Sequence, residues 1–280
     1  MEPARHIVVT LNSAGVLATA QRAIRETVDV VTFCLNAVEQ GNLSAWPETE
    51  TMRFVLRFAD EVSAEQRKAA YMHWLLSKGF QDLARGVRQM LEEAFFYNGM
   101  VARAGELHTW AELQAAEQEL RKEANEMWFS DLFAAVNKRL TTPLHYEREF
   151  LSLQKVRNCL EHRDSIVQER DLGPDSRVLR LRLPRLKLYY EDAGQEIELG
   201  IGAVVEKDVE VLTKVVITEH EFKLGERVTF QADEFHDIGF GCWAITDDLV
   251  RRLPQLPSKG GDVARSADDV GANERPADET

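Results

Sequence analysis

Apolar residues recur every three or four positions through the first 170 residues, which is the pattern of amphipathic helices. The first predicted helix covers residues 14–40, and Gly41 ends it. A second predicted helix begins at Ser63, where Ser-Ala-Glu-Gln has the form of a capping box. It continues to residue 100, and Gly79 predicts a break within it.

Three further helices are predicted in this half of the chain. Thr-Trp-Ala-Glu at Thr109 is another capping box, and Ser130 is expected to cap a short helix before Pro143. Residues 145–162 form the last predicted helix, whose expected buried side chains are Phe150, Leu151, Leu153, Val156 and Leu160. These elements together predict an α-helical bundle.

After Asp171 the apolar residues alternate with polar ones, which is typical of strands, and the turn cluster at 173–176 marks the change. Four strands of an antiparallel sheet are predicted, at residues 177–190, 196–206, 209–222 and 226–232. The apolar segment at 244–253 predicts a closing helix.

The change of pattern predicts an α+β fold in two domains and a tail. Residues 1–170 form the helical bundle, and residues 171–253 form a small β-rich domain. Residues 254–280 are polar, rich in Gly, Ala and Asp and lack aromatic residues, so we expect a disordered tail.

Composition narrows the classes of function. A formal net charge of -13 argues against a protein that coats nucleic acid non-specifically, so any contact with RNA must be local. The three cysteines are far apart and form no CxxC pair, which predicts neither disulfides nor a zinc site. Without a signal peptide or a membrane-length apolar run, we expect a soluble, cytoplasmic protein with no cofactor.

The segment KVRNCLEHRDSIV, residues 155–167, carries the strongest candidate chemistry at the end of the last predicted helix. Asn158 and His162 lie one turn apart on one helix face, whereas Arg157 and His162 are separated by about 140°. We therefore expect Arg157 and His162 to converge only if the helix unwinds or a second chain contributes. The pair Arg103 and His108 has the same spacing in a loop and serves as a control.

The run RNCLEH at residues 157–162 resembles the R-N-x-x-x-H signature, a form of Arg-x4–6-His, of the HEPN superfamily (higher eukaryotes and prokaryotes nucleotide-binding domains). The resemblance covers the motif and the helical half only. It implies an α-helical bundle, a homodimer with its active site between protomers, and a metal-independent endoribonuclease. It also implies a toxin–antitoxin or antiviral defence setting, in which a neutralising partner protein is one further expectation.

The residue types suit that reaction. His162 would take the proton from a ribose 2′-OH as general base, because a neutral imidazole titrates near operating pH. Arg157 would hold the scissile phosphate through two parallel hydrogen bonds, and Asn158 would orient the imidazole or the phosphate. The expected products are a 2′,3′-cyclic phosphate and a 5′-hydroxyl.

A structural interpretation stands beside the catalytic one. Arg, Asn and His at a helix end commonly bind the last carbonyls and complement the helix dipole. The competing function is a non-catalytic HEPN-like module that dimerises through its helices and binds a partner or ligand with its β-rich domain. Both interpretations predict a helical dimer, so a dimer would not separate them.

A basic strand is the second candidate feature. The run RVLRLRLPRLKL carries basic residues without an acidic one, and a bulge at Pro184 would keep four of them on one exposed side: Arg180, Arg182, Arg185 and Lys187. An RNA-backbone track is the functional interpretation, and the solvated face of a half-buried strand is the favoured alternative.

Other candidates carry weaker signals. Glu92 and Glu93 are the acidic pair expected to approach the motif, although such pairs are commonly surface residues. His220 and His236 lie near carboxylates but lack the HExxH spacing, so no metal site is expected. Several aromatic residues are assigned to the core or to a dimer contact, namely Trp74, Trp110, Trp128, Phe95 and Phe96.

Overall fold

The computed structural model describes residues 10–43, 62–173, 177–200 and 202–255. The helices are α1 (Ser13–Gln40), α2 (Ala64–Arg103), α3 (Trp110–Glu126), α4 (Phe129–Asn137), α5 (Glu147–His162) and α6 (Glu234–Arg251). The strands are β1 (Val178–Asp192), β2 (Gln195–Glu198) and β3 (Leu212–Lys223). Helices that come mostly first in the chain and a small antiparallel sheet confirm the α+β class. Most of the predicted tail, residues 256–280, lies outside the described residues.

The predicted helix starts are confirmed where capping chemistry marks them. The backbone N–H of Gln66 donates to Ser63 Oγ at 3.2 Å, and the N–H of Ser63 donates to Gln66 Oε1 at 3.1 Å. Thr109 and Glu112 form the same reciprocal pair at the start of α3. Each box satisfies backbone donors that the first turn of a helix leaves unpaired.

Two helix predictions are wrong. Gly79 does not break α2, which runs without interruption. A β-carbon at Gly79 would lie 2.5 Å from the ring of Phe235 and 2.8 Å from Val31, so the glycine lets α1 and α6 approach α2 closely. Ser130 does not cap α4 either, because the N-cap position is Trp128 and no side chain bonds there.

The sheet has the order β2-β1-β3, and both pairings are antiparallel. The register between β1 and β3 continues unbroken past Pro184, which lies opposite Ile217. The bulge expected at Pro184 is therefore absent. The fourth predicted strand, at 226–232, contributes only an isolated bridge between Arg227 and Ile166.

Buried side chains from both halves of the chain belong to one hydrophobic cluster. The ring of Phe80 in α2 stacks on that of Phe230, with centroids 5.0 Å apart and planes 12° apart. Leu181 and Phe235 are also fully buried in the cluster, and burying such a side chain stabilises the fold by about 1.5–3 kcal/mol. Residues from both sides of the predicted domain boundary at residue 171 belong to this one cluster. The division into two domains stays a prediction.

Helix α5, which carries the motif, lies along β1. Ser152 Oγ accepts from the backbone N–H of Arg182 at 3.0 Å. Its one hydroxyl proton has two carbonyl acceptors, that of Glu149 at 2.9 Å and that of Arg182 at 3.1 Å. The serine thereby ties α5 to the backbone of β1. Four of the five predicted apolar contacts of α5 are buried, but Leu151 is 38% exposed. The packing fixes the helix end that carries the motif.

Candidate functional site

Arg157, Asn158 and His162 lie on the last turns of α5, where they are accessible to solvent. The imidazole of His162 is 57% exposed, whereas the side chain of Arg157 is 27% exposed. His162 is the last residue of the helix, and its imidazole is accessible to a ligand. The arginine is the more constrained of the two side chains.

Glu161 lies next to both Arg157 and His162. The guanidinium of Arg157 forms an ion pair with Glu161 Oε2, and His162 Nε2 lies 3.9 Å from the same oxygen. Both side chains therefore lie near Glu161 within one chain, while their convergence on a common ligand stays a prediction. Residues four apart are neighbours on a helix, and the long arginine side chain spans the remaining angle.

Asn158 holds the arginine rather than the imidazole. Its Oδ1 accepts from Arg157 Nη1 at 3.2 Å and from Gln154 Nε2 at 3.0 Å. Two donors on one amide oxygen fix the amide orientation and restrict the guanidinium to the side of the helix that faces Glu161. Asn158 is therefore a positioning residue for Arg157 in this arrangement.

The chain turns sharply after α5. Asp164 and Ser165 both have positive φ, at 50° and 62°, which L-residues other than glycine adopt at a cost. Just before this turn the guanidinium of Arg163 forms an ion pair with Asp171, whose carboxylate is 1% exposed. Asp171 Oδ2 also accepts from the backbone N–H of Gln168 at 2.9 Å. This buried pair fixes the segment that follows the motif.

Cys159 lies inside the motif but is not placed for nucleophilic chemistry. Its side chain is fully buried, and desolvation together with the nearby charge of Asp171 raises the pKa of the thiol to about 11. A thiol with that pKa is protonated at neutral pH, whereas the thiolate is the nucleophile. Cys159 serves the core of α5.

Glu161 was not among the residues assigned to the site from the sequence. The signal was present, because an acidic residue four positions after Arg157 is a standard helical ion-pair spacing. His73 of α2 and Arg227 were also missed, since they lie about 90 and 65 residues from the motif in sequence. The pKa of His73 is lowered by partial burial and by the positive charge of Arg227, while Asp164 opposes the shift.

The basic residues of β1 do not form one track. Because the register has no bulge, Arg180 and Arg182 point to one face of the sheet and Arg185 and Lys187 to the other. Each also has a carboxylate partner: Arg180 with Glu221 at 2.7 Å, Arg182 with Glu219, Arg185 with Glu198 at 2.6 Å and Lys187 with Glu196 at 3.0 Å. Their role in RNA binding stays a prediction.

The remaining acidic and histidine candidates have partners elsewhere. Glu92 pairs with Arg88 at 2.9 Å, and Glu93 pairs with Arg121 at 2.8 Å. His220 Nδ1 lies 3.6 Å from Glu234, and His236 Nε2 lies 3.4 Å from the hydroxyl of Thr32. None of these contacts joins a candidate to the motif.

The assigned aromatic residues divide into two groups. Phe95 is buried and Phe96 is partly buried against the core, whereas Trp74, Trp110 and Trp128 are 59%, 52% and 79% exposed and do not belong to the core. Trp74 lines an apolar groove of about 690 Å³ between α1 and α2, together with Cys34, Ala37, Val38, Ala70, Tyr71 and Leu75. A groove of this kind is an interaction surface in many proteins.

Neither a protein-family model nor any curated protein or solved structure matches the chain. No helix within the described ranges combines the length and the apolar character that a bilayer span requires. Among the same residues, no group of three or more His, Cys, Asp or Glu side chains is placed to hold a metal ion. The function of the site is therefore inferred from its own geometry.

Proposed function

We propose that the chain is a metal-independent endoribonuclease of HEPN type, with His162 as general base and Arg157 as phosphate clamp. The observation that supports this function is the approach of both side chains to one anionic oxygen, Glu161 Oε2. In the proposal, a phosphate oxygen of the substrate replaces this carboxylate oxygen beside Arg157 and His162.

The proposed reaction uses both side chains. Arg157 exchanges Glu161 for the scissile phosphate and stabilises the charge that develops on it. His162 takes the proton from the ribose 2′-OH, the O2′–P bond forms, and the P–O5′ bond breaks. Water protonates the leaving 5′-oxygen, and the hydroxide that remains takes the proton from the His162 imidazolium. The products are a 2′,3′-cyclic phosphate and a 5′-hydroxyl, and the base is restored. A helical homodimer in a defence setting remains part of the proposal.

End-group analysis of the products tests the reaction class. Purified protein is incubated with a single-stranded RNA in excess EDTA, and the fragments are analysed by mass spectrometry. We expect fragments that end in a 2′,3′-cyclic phosphate and begin with a 5′-hydroxyl. Fragments that begin with a 5′-phosphate, or activity that EDTA removes, would contradict a 2′-OH attack without metal.

The apolar groove favours a second candidate function, a non-catalytic module that associates through its helices. Trp74 and Tyr71 expose apolar surface to solvent in this groove, and burial of that surface would stabilise association. If the chain is such a module, wild type and His162→Ala will both leave RNA intact in the assay above. Trp74→Ala will then also change the self-association measured by analytical ultracentrifugation.

A further inference from the structure

The segment that follows β3 is held against the turn that follows the motif. Its backbone pairs with that turn in a short antiparallel contact, in which Arg227 lies opposite Ile166. The hydrogen bonds are Gly225 N–H to the Val167 carbonyl at 2.9 Å, Val167 N–H to the Glu226 carbonyl at 3.0 Å and Val228 N–H to the Ser165 carbonyl at 2.8 Å. The stack of Phe230 on Phe80 anchors the same segment to α2. Arg227 is therefore held beside the motif by backbone contacts on both sides of it.

The guanidinium of Arg227 lies close to the end of α5. Its Nη1 donates to the backbone carbonyl of Asp164 at 3.5 Å, the long limit for a hydrogen bond. Asp164 follows His162 by two residues, and two trans peptides separate their Cα atoms by at most about 7.6 Å. Arg227 therefore lies next to the turn that directly follows His162.

Arg227 differs from the other arginines of this region in its partners. The guanidinium of Arg157 is paired with Glu161, and that of Arg163 is paired with the buried Asp171. Arg227 is exposed and, within the described part of the chain, forms no ion pair with a carboxylate. Its positive charge is therefore available to an anion that approaches the end of α5.

Two titratable groups lie near Arg227. His73 of α2 is half-buried, and the charge of Arg227 together with desolvation lowers the pKa of the imidazole. Asp164 is the acidic group that acts on the same histidine, and it contributes the opposite effect. The charge of Arg227 thus acts on a half-buried histidine, in a chain whose net charge of -13 leaves phosphate binding to local cations.

We propose that Arg227 is a second phosphate-binding residue of the His162 site, which holds the RNA phosphate next to the scissile one. The proposal rests on the proposed function, because it assumes that His162 and Arg157 act on RNA. A guanidinium presents a planar fork that binds two phosphate oxygens, and it stays charged at every accessible pH. Arg157 would bind the reacting phosphate, and Arg227 would fix the position of the strand.

Binding of an uncleavable RNA analogue tests this role. A fluorescein-labelled, single-stranded 2′-O-methyl oligonucleotide has no 2′-OH and cannot be cleaved by the proposed reaction. Its affinity is measured by fluorescence anisotropy for wild type, Arg227→Gln and the matched control Arg148→Gln. Arg148 is an exposed arginine on the same helix as the motif, about 21 Å from His162 along the axis.

We expect Arg227→Gln to raise the Kd at least about fivefold and to reduce the salt slope, d log K/d log[salt], by about 0.7. Arg148→Gln should change neither, and Arg227→Lys should keep the salt slope but recover only part of the affinity. Equal Kd values for Arg227→Gln and Arg148→Gln, or no binding by wild type, would overturn the proposal. Unchanged melting temperatures show that the variants fold.

The binding assay separates this proposal from the proposed function. If wild type cleaves RNA and Arg227→Gln binds the analogue as wild type does, the role of Arg227 is wrong and the nuclease stands. If wild type leaves RNA intact but Arg227→Gln loses binding, the nuclease is wrong and Arg227 remains an RNA-phosphate ligand.

Discussion

Arg157 and His162 approach one oxygen atom, Glu161 Oε2, although an ideal helix separates them by about 140°. The long side chain of Arg157 reaches one turn forward to the carboxylate, and His162 is its immediate neighbour. Within one chain, the guanidinium and the imidazole therefore both lie near one carboxylate oxygen. In the proposed reaction, Glu161 would compete with the substrate phosphate for Arg157.

Replacing Glu161 tests this competition. Glu161→Gln removes the negative charge but keeps the size of the side chain, so Arg157 becomes available to phosphate. Ion pairs of partly exposed side chains contribute at most about 1 kcal/mol, so we expect the KM for RNA to fall by a factor of about 2–5. Steady-state cleavage of a fluorogenic oligoribonucleotide measures it. A higher KM would show instead that Glu161 orients Arg157 for binding.

The titration of His73 tests the contact between α2 and the segment that carries Arg227. Burial and the Arg227 charge lower the pKa of His73 below its ordinary value of 6.5. Arg227→Gln should therefore raise the pKa, and Asp164→Asn should lower it further. NMR titration of the imidazole Cε1 proton measures both shifts, and identical values in all three proteins would contradict the contact.

The lowered pKa of His73 also makes the free energy of unfolding depend on pH. Because the pKa of His73 is lower in the folded than in the unfolded chain, the unfolded state binds more protons as the pH falls below 6.5. The contribution of His73 to stability is complete above pH 6.5 and is lost as the pH falls through the folded pKa. Arg227→Gln should reduce this acid sensitivity in urea titrations between pH 7.5 and pH 5.5.

The buried pair of Arg163 and Asp171 is expected to hold the turn after the motif. Asp171→Asn leaves a buried guanidinium without a counter-charge, which costs about 3–5 kcal/mol. Urea unfolding measures this loss. Asp247→Asn is the matched control, since its partner Arg251 is on the surface and the change should cost at most about 1 kcal/mol. Equal losses in the two variants would contradict a structural role for the buried pair.

Gly79 tests the close approach of α1 and α6 to α2. Gly79→Ala places a β-carbon against Phe235 and Val31, and we expect a loss of about 1–3 kcal/mol by urea unfolding. Gly15→Ala, where a β-carbon meets nothing within 4 Å in helix α1, should stabilise by up to about 1 kcal/mol. A stabilising effect at both positions would mean that the helices do not pack as described.

The sequence predicted the elements that depend on local chemistry. The capping boxes at Ser63 and Thr109 mark helix starts because their hydrogen bonds involve residues only three positions apart. Gly79 was misinterpreted because its role depends on Phe235, which is distant in sequence. Periodicity cannot show such a contact.

In the candidate site, too, only the residues that are close in sequence could be predicted. Arg157, Asn158 and His162 could be selected from one helical segment, whereas the positions of His73 and Arg227 depend on how α2 and the segment after β3 pack against the turn. The prediction of one basic track along β1 is wrong because the strand has no bulge at Pro184 and its regular register continues there. A shift of one residue moves every following side chain to the other face.

The most direct test of the central claim compares RNA cleavage by His162→Ala and His108→Ala with that by wild type, in EDTA. His108 has the same spacing from Arg103 but lies exposed in a loop, so it controls for loss of an imidazole. Loss of the general base should lower kcat/KM by a factor of about 100 or more in His162→Ala, while His108→Ala keeps wild-type activity and both keep the wild-type melting temperature. Equal activity in wild type and His162→Ala would contradict a ribonuclease that depends on this motif.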